Sequence, residues 1–181
     1  MEEVPEKHRL VKIFSERNVN MKILTIDEIS VWLKGQSLFI ADKAVFWEKF
    51  LKYHSFSTPK DSGIKTALSK NIIPMLLSSP ECLIWIREYG VWPSNQNMAL
   101  FEMLRNSLGE TRPLSQAPGH LCTGKDMQLC ESLLDLILYF YWGALIVGSK
   151  GEYAINISHN EIIEVGGTEE FIRGIKDVLP E

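Results

Sequence analysis

The sequence predicts a single α+β domain in which helices come first and a small sheet comes late. Apolar residues follow a helical period through much of the chain before Gly143, and the period becomes strand-like after it. Strand signals between the helices are isolated, so they lack the regular alternation that is typical of βαβ units. We therefore expect N-terminal and central helices packed on a small mixed or antiparallel sheet, which includes a C-terminal three-strand meander and a final helix.

Length and composition are those of an ordinary globular domain. The chain has 181 residues, of which 45% are hydrophobic and 23% are charged. These values exclude the disordered, collagen-like and disulfide-scaffold classes of protein. We expect an N-terminal arm or edge strand over residues 1–24 and a single α+β domain over residues 25–181.

The first half of the chain predicts three helices and one strand. Thr25 and Glu28 have the spacing of a capping box, which predicts a helix that starts after Thr25. Residues 37–41 predict a short strand, and residues 44–56 alternate polar and apolar faces as a helix does. Residues 64–77 predict a third helix, whose end is strained by a proline.

The middle of the chain predicts a central strand, a helix and a long connection. Residues 82–92 are rich in β-branched and aromatic residues and turn at Gly90. Residues 99–108 have the spacing of a helix. Residues 109–124 contain two prolines and three glycines without periodicity, so we expect an irregular connection there.

The last part of the chain predicts a helix, a meander and a second helix. Thr123 and Asp126 offer a capped start for the most apolar helix of the chain. After Gly143, three alternating segments separated by short turns predict an antiparallel meander. Thr168, followed by two glutamates, predicts the start of the final helix.

Negative charge is concentrated near the end of the chain. Residues 150–181 hold seven acidic and three basic residues, so the net charge of −4 lies there. This distribution argues against a nucleic-acid partner and favours a basic protein partner, although an acidic face can also serve solubility alone. Trp92 is an aromatic residue of the kind that anchors interfaces. The predicted partner-binding residues are Glu161, Glu164, Glu169, Glu170 and Trp92.

Cysteine usage and the N-terminal sequence favour a cytoplasmic protein. Cys82, Cys122 and Cys130 are sparse and odd in number, so we expect any pairing to be incidental. The first residues are acidic and polar, whereas a signal peptide is basic and then apolar. No uncharged apolar stretch is long enough to span a bilayer, so we expect no membrane partner.

Two motifs are incomplete versions of phosphate or metal sites. Residues 119–125 match GxxxxGK, but Asp126 replaces the Ser or Thr that ligates magnesium, and no strand signal precedes the loop. His120, Cys122 and Cys130 supply at most three soft ligands, whereas structural zinc usually takes four. We therefore expect no cofactor and no metal.

Three arginines and one histidine form a candidate ligand-binding group. If these residues converge in the fold, they provide a fork-shaped receptor for a carboxylate or a phosphate. In the alternative, neighbouring glutamates pair with the arginines and anchor the long connection. The candidate residues are Arg87, Arg105, Arg112 and His120, and the neighbouring glutamates are Glu88, Glu102 and Glu110.

The sequence contains no complete catalytic motif. We therefore expect a non-enzymatic cytosolic protein-interaction domain, inhibitor-like or immunity-like, that binds a basic partner through its acidic C-terminal region. The alternative is a small-molecule-binding domain or an enzyme that binds an anionic ligand through the Arg/His group. A homo-oligomer is left open.

Overall fold

A seven-stranded antiparallel sheet forms the centre of the fold. The computed structural model describes residues 21–36, 40–41, 44–45, 52–90 and 95–179. Within these residues, five α-helices accompany the sheet, which confirms the predicted α+β class. No helix of the described residues has the length and apolar character of a membrane-spanning segment.

Helices and strands are interspersed along the chain up to the late three-strand meander, which one more helix follows. The helices are α1 (Ile26–Gly35), α2 (Ser62–Leu76), α3 (Asn95–Ser107), α4 (Met127–Tyr139) and α5 (Glu169–Lys176). The strands of the large sheet are β1 (Lys22–Leu24), β4 (Lys52–Ser57), β5 (Glu81–Glu88), β6 (Gly119–Thr123), β7 (Gly143–Gly148), β8 (Ala154–Ser158) and β9 (Ile162–Gly167). A separate pair consists of β2 (Ile40–Ala41) and β3 (Ala44–Val45).

The strand order in the large sheet is β1-β6-β5-β7-β8-β9-β4, and every neighbouring pair is antiparallel. The meander of β7, β8 and β9 is therefore confirmed. The central position of β5 is also confirmed, because this strand pairs with β6 on one side and β7 on the other. The chain turns after β5 at Gly90, which has a φ of 67°.

The predicted helix starts are confirmed by side-chain caps. The backbone N–H of Thr25 donates to Glu28 Oε2 at 2.8 Å, and the N–H of Glu28 donates to Thr25 Oγ1 at 3.3 Å. At α5, Thr168 Oγ1 accepts from the N–H of Phe171 at 3.2 Å. These bonds satisfy amide groups that a helix start otherwise leaves unpaired.

The central strands are buried on both faces of the sheet. Ile84 and Ile146 belong to the core that the sheet forms with α2, α4 and α5. Leu83 and Leu145, one position earlier on each strand, pack instead with Ile29 of α1. Since successive side chains of a strand point to opposite faces, helices cover both sides of this part of the sheet.

The prediction of a helix over residues 44–56 is wrong for its described part. Ala44–Val45 is a strand, and Lys52–Ser57 pairs along its whole length with β9. Exposure along β4 alternates with a period of two towards its end, where Phe56 packs against the core. A short amphipathic segment can satisfy either period, and pairing with β9 decides in favour of the strand here.

The prediction of an irregular connection over residues 109–124 is wrong at its end, where β6 forms. Gly119–Thr123 pairs with β1 on one side and β5 on the other. This strand is buried on both faces, so its sequence lacks the polar alternation of a surface strand. A Cβ atom at Gly119 would lie 2.7 Å from Ile29 Cγ1, so α1 packs against a position that needs glycine.

Some sequence predictions fall outside the described residues. They concern residues 1–20 of the N-terminal arm, residues 37–39 of the first predicted strand, residues 46–51 of the wrongly predicted helix, and Trp92. Of the predicted arm or edge strand, Lys22–Leu24 is an edge strand of the sheet.

The three cysteines meet in the core. Cys82 of β5 lies directly opposite Cys122 of β6, and Cys122 forms a disulfide with Cys130 of α4. All three side chains are fully buried. The expectation of merely incidental pairing is therefore not supported, because this disulfide ties the sheet to one of its covering helices. The turn from β6 into α4 brings the two residues together, and sequence spacing alone does not show it.

The disulfide predicts the number of free thiols in the unfolded chain. Without a reductant, the chain unfolded in guanidinium chloride is expected to titrate one thiol, that of Cys82. A chromogenic thiol reagent measures the number, and a reduced sample serves as the control with three thiols. Three thiols in the sample without reductant would contradict the disulfide. Reduction is also expected to lower the free energy of unfolding by about 2–3 kcal/mol.

Candidate ligand-binding groove

A groove with largely apolar walls lies where α2, α3 and α4 meet. Its volume is about 690 Å³, which is in the size range of small-molecule sites. Leu100 and Met103 of α3 and Tyr139 of α4 line it, and these side chains are 54%, 68% and 59% exposed. Large apolar side chains that cluster at a groove while remaining exposed are typical of a binding surface.

Lys65 places a positive charge in the wall of this groove. The side chain is only 5% exposed, and its Nζ lies 3.9 Å from the centre of the Tyr141 ring and 5.8 Å from that of Tyr139. Among the described residues, no carboxylate forms an ion pair with it. The two rings stabilise the ammonium through their π faces, but they do not neutralise its charge.

Asp135 adds a carboxylate to the same groove. It lies on α4, one helical turn before Tyr139, and its Oδ1 is buried without a hydrogen-bond partner. A buried oxygen without a donor costs free energy, and a cation near the same carboxylate would offset part of that cost. The remaining polar lining consists of the hydroxyl-bearing residues Ser62, Thr66 and Ser132. The groove therefore offers one cation, one carboxylate and three hydroxyls on an apolar background.

The arginines predicted to bind a ligand are engaged with the protein itself. Arg112 donates to Glu110 through Nε at 2.9 Å and through Nη2 at 2.6 Å, and it also donates to the carbonyl of Ile23. Arg105 is fully buried and donates from Nη2 to the carbonyl of Ala117 at 2.9 Å. These bonds attach the connection between α3 and β6 to the rest of the domain.

The structure does not gather the whole Arg/His group. The charge of Arg112 acts on Arg105 and the charge of Arg105 acts on His120, so Arg105 lies near both of these residues. Arg87 projects from the face of β5 opposite to that of Ile84 and Ile86, and it donates to Asn156 Oδ1. A single receptor made of all four side chains is therefore not formed.

His120 is a fully buried imidazole in the core. Its ring packs edge-to-face against Phe101 at 5.8 Å and lies next to the backbone of Ile84 and Pro118. Burial, and then the nearby Arg105 charge, lower the pKa of His120 to about 4. The imidazole is consequently neutral near pH 7, and it has no contact with solvent through which an anion could approach.

The acidic residues predicted to bind a partner lie at separate places along β9. Glu161 is in the turn before β9, and Glu169 and Glu170 are in the first turn of α5 after it. The six residues of β9 place the two groups about 20 Å apart. Between them, Glu164 accepts hydrogen bonds from Tyr53 Oη at 2.7 Å and Asn156 Nδ2 at 2.6 Å. The fold thus spreads these carboxylates along β9 and does not gather them in one patch.

The phosphate-loop-like motif is a strand followed by a helix start. Residues 119–123 form β6, and residues 124–126 form one 3₁₀ turn before α4. The Asp126 carboxylate accepts from Thr123 N–H at 3.1 Å and from Thr123 Oγ1 at 2.7 Å. This aspartate serves as a cap, as its position in the sequence predicts. Among the described residues, no group of three or more His, Cys, Asp or Glu side chains is arranged to hold a metal.

Sequence reasoning missed the groove, although α2 carries one signal for it. Lys65 lies on the same helical face as Leu68, Ile72 and Leu76, all of which are buried. A charged residue within a buried apolar stripe indicates either an internal partner or a site. Asp135 has a similar signal, because it is the only charged residue between Glu131 and Lys150, but its neighbours in the groove come from distant parts of the chain.

Acidification is expected to destabilise the protein through His120. Its pKa is about 4 in the folded protein against 6.5 for an ordinary histidine, so the unfolded chain binds the proton more tightly. The stabilising contribution of the neutral imidazole is complete above pH 6.5 and is lost as the pH falls towards 4. The total loss is about 3 kcal/mol. Urea unfolding at neutral and at mildly acidic pH measures it.

Two histidine variants separate this effect from general acid sensitivity. His120→Phe is expected to lose less stability on acidification than the wild type, because its ring has no proton to bind. His54→Gln, on the edge strand β4, is the control and should lose as much as the wild type. An equal loss in all three proteins would contradict the role of His120.

Comparison of the chain with protein-family models, with curated proteins and with solved structures finds no match. Its function is therefore inferred from the geometry of the groove.

Proposed function

We propose that this protein binds a small amphipathic molecule that carries an anionic group, in the groove between α2, α3 and α4. The Lys65 ammonium is the observation that carries the proposal. It is buried in the groove wall and forms no ion pair with a described carboxylate. An anionic group of the ligand would supply the missing counter-charge, and the apolar walls would receive the rest of the molecule.

The protein restricts the movement of this ammonium before a ligand arrives. Tyr141 and Tyr139 pack against Nζ and limit the positions that it can take. A preorganised charge loses little further freedom on binding, so more of the attraction appears as affinity. Hydrogen bonds to charged groups contribute about 1.5–3 kcal/mol each.

The proposed small-molecule site is thus a different one from the Arg/His site that the sequence predicts. The predicted anion receptor at Arg105, Arg112 and His120 is occupied by internal contacts or enclosed in the core. A protein partner for the acidic region stays a prediction. The separation of Glu161 from Glu169 along β9 argues against a single acidic binding surface, so we favour a small ligand in the groove over a basic protein partner.

The cytoplasmic location also stays a prediction. The disulfide between Cys122 and Cys130 weighs against it, because cytosolic thiols are usually kept reduced. Full burial of both sulfurs protects the bond from reductants while the protein is folded.

Replacement of Lys65 is expected to abolish the preference for anionic ligands. Decanoate and decanol serve as probes, because they share an apolar chain and differ in the charge of the head group. Isothermal calorimetry on the wild type should show tighter binding of decanoate. In Lys65→Met, decanoate should bind at least about tenfold more weakly, which corresponds to the loss of one charged hydrogen bond, while decanol should change little.

Lys70→Met is the matched control for this experiment, since Lys70 lies on the same helix and is exposed. It should bind both probes as the wild type does. Failure of the wild type to bind either probe, or equal weakening in the two lysine variants, would contradict the proposed site.

The apolar wall is tested by shortening Met103. Met103→Ser is expected to weaken decanoate binding about fivefold to tenfold, because part of an apolar contact area is lost. Val31→Ser is the control, since Val31 is equally exposed, at 70% against 68% for Met103, but lies on α1. Calorimetry of both variants measures the effect. Equal affinities in the two variants would exclude the α3 wall from the site.

A further inference from the structure

We infer that the ligand of the groove has a zwitterionic amino-acid head group, whose carboxylate binds Lys65 and whose ammonium binds Asp135. The inference rests on the proposed function and specifies the class of ligand. Lys65 and Asp135 line the same groove, from α2 and α4 respectively. They give the groove one charge of each sign.

The state of the Asp135 carboxylate is the first argument. Its Oδ1 is buried, and none of the described residues donates a hydrogen bond to it. A buried acceptor in this condition lacks the compensation that almost all such groups have in folded proteins. The residue itself is partly exposed and lines the groove, and a carboxylate shares its charge between both oxygens, so a ligand cation on the groove side would offset the charge that Oδ1 leaves without a donor.

The spacing of the two charges is the second argument. The Tyr139 ring lies 5.8 Å from Lys65 Nζ, and Asp135 precedes Tyr139 by one helical turn. One turn of helix advances about 5.4 Å. Lys65 and Asp135 are therefore both neighbours of Tyr139 in the groove wall, yet they form no ion pair with each other, so neither charge neutralises the other.

Charge balance in the groove is the third argument. A ligand with a carboxylate alone can bind Lys65, but it places a second carboxylate near Asp135, so it binds more weakly than a zwitterion of the same size. A ligand with an amine alone would bring a second cation near Lys65. The zwitterion matches both protein charges. The apolar side chain of such a ligand would lie along Leu100, Met103 and Leu136.

Decanoate and 2-aminodecanoate form a matched pair of probes for this inference, because they differ by the ammonium alone. We expect the wild type to bind 2-aminodecanoate about tenfold more tightly in calorimetry, as one charged hydrogen bond is added. In Asp135→Asn this preference should fall to about threefold or less. Glu131→Gln, on the same helix one turn earlier and outside the groove lining, should keep the wild-type preference.

The outcomes separate this inference from the proposed function. Equal affinities for the two probes, or an unchanged preference in Asp135→Asn, would overturn the inference, while Lys65-dependent binding of decanoate would leave the proposed function standing. Absence of binding by both probes would overturn both. If Asp135→Asn unfolds, N-acetyl-2-aminodecanoate on the wild type decides instead. It lacks the ammonium, so we expect it to lose the preference, and tight binding of this compound would overturn the inference.

Discussion

The packing of α2 and α4 on one face of the sheet is the constraint on which both the core and the groove depend. Leu134 and Ile137 of α4 are fully buried against the sheet, while Asp135 and Tyr139 of the same helix line the groove. The helical period makes this division, since positions three or four apart share a face. The disulfide from Cys122 to Cys130 fixes the start of α4 to β6. The position of the groove wall is thus set by contacts that also stabilise the core.

Local signals in the sequence predicted the parts of the fold that local physics determines. The caps at Thr25 and Thr168, the apolar β5 and the alternating meander were all readable, because each depends on residues close together in the chain. The strands β4 and β6 could not be predicted from local signals. The first has a pattern that also suits a helix, and the second is buried on both faces and so has no alternation.

The candidate site was harder to predict than the fold, because its residues meet only through tertiary packing. Lys65 and Asp135 are separated by most of α2, two strands and α3 along the chain. Lys65 was detectable as a charge within an apolar stripe, but the missing counter-ion is a property of the folded protein. The same limitation applies to Cys82, whose place opposite Cys122 depends on the pairing of β5 with β6.

Access to solvent decides which incompletely paired polar groups indicate a site. Arg105 also has nitrogens without partners, but its side chain is fully enclosed, so no ligand can reach it and the cost lowers the stability of the fold. Lys65 and Asp135 differ because they line an open groove. An unpaired charged group that lines an open groove can still form an ion pair or a hydrogen bond with a molecule from solution. This combination of burial and access favours the groove over the more numerous charges elsewhere on the protein.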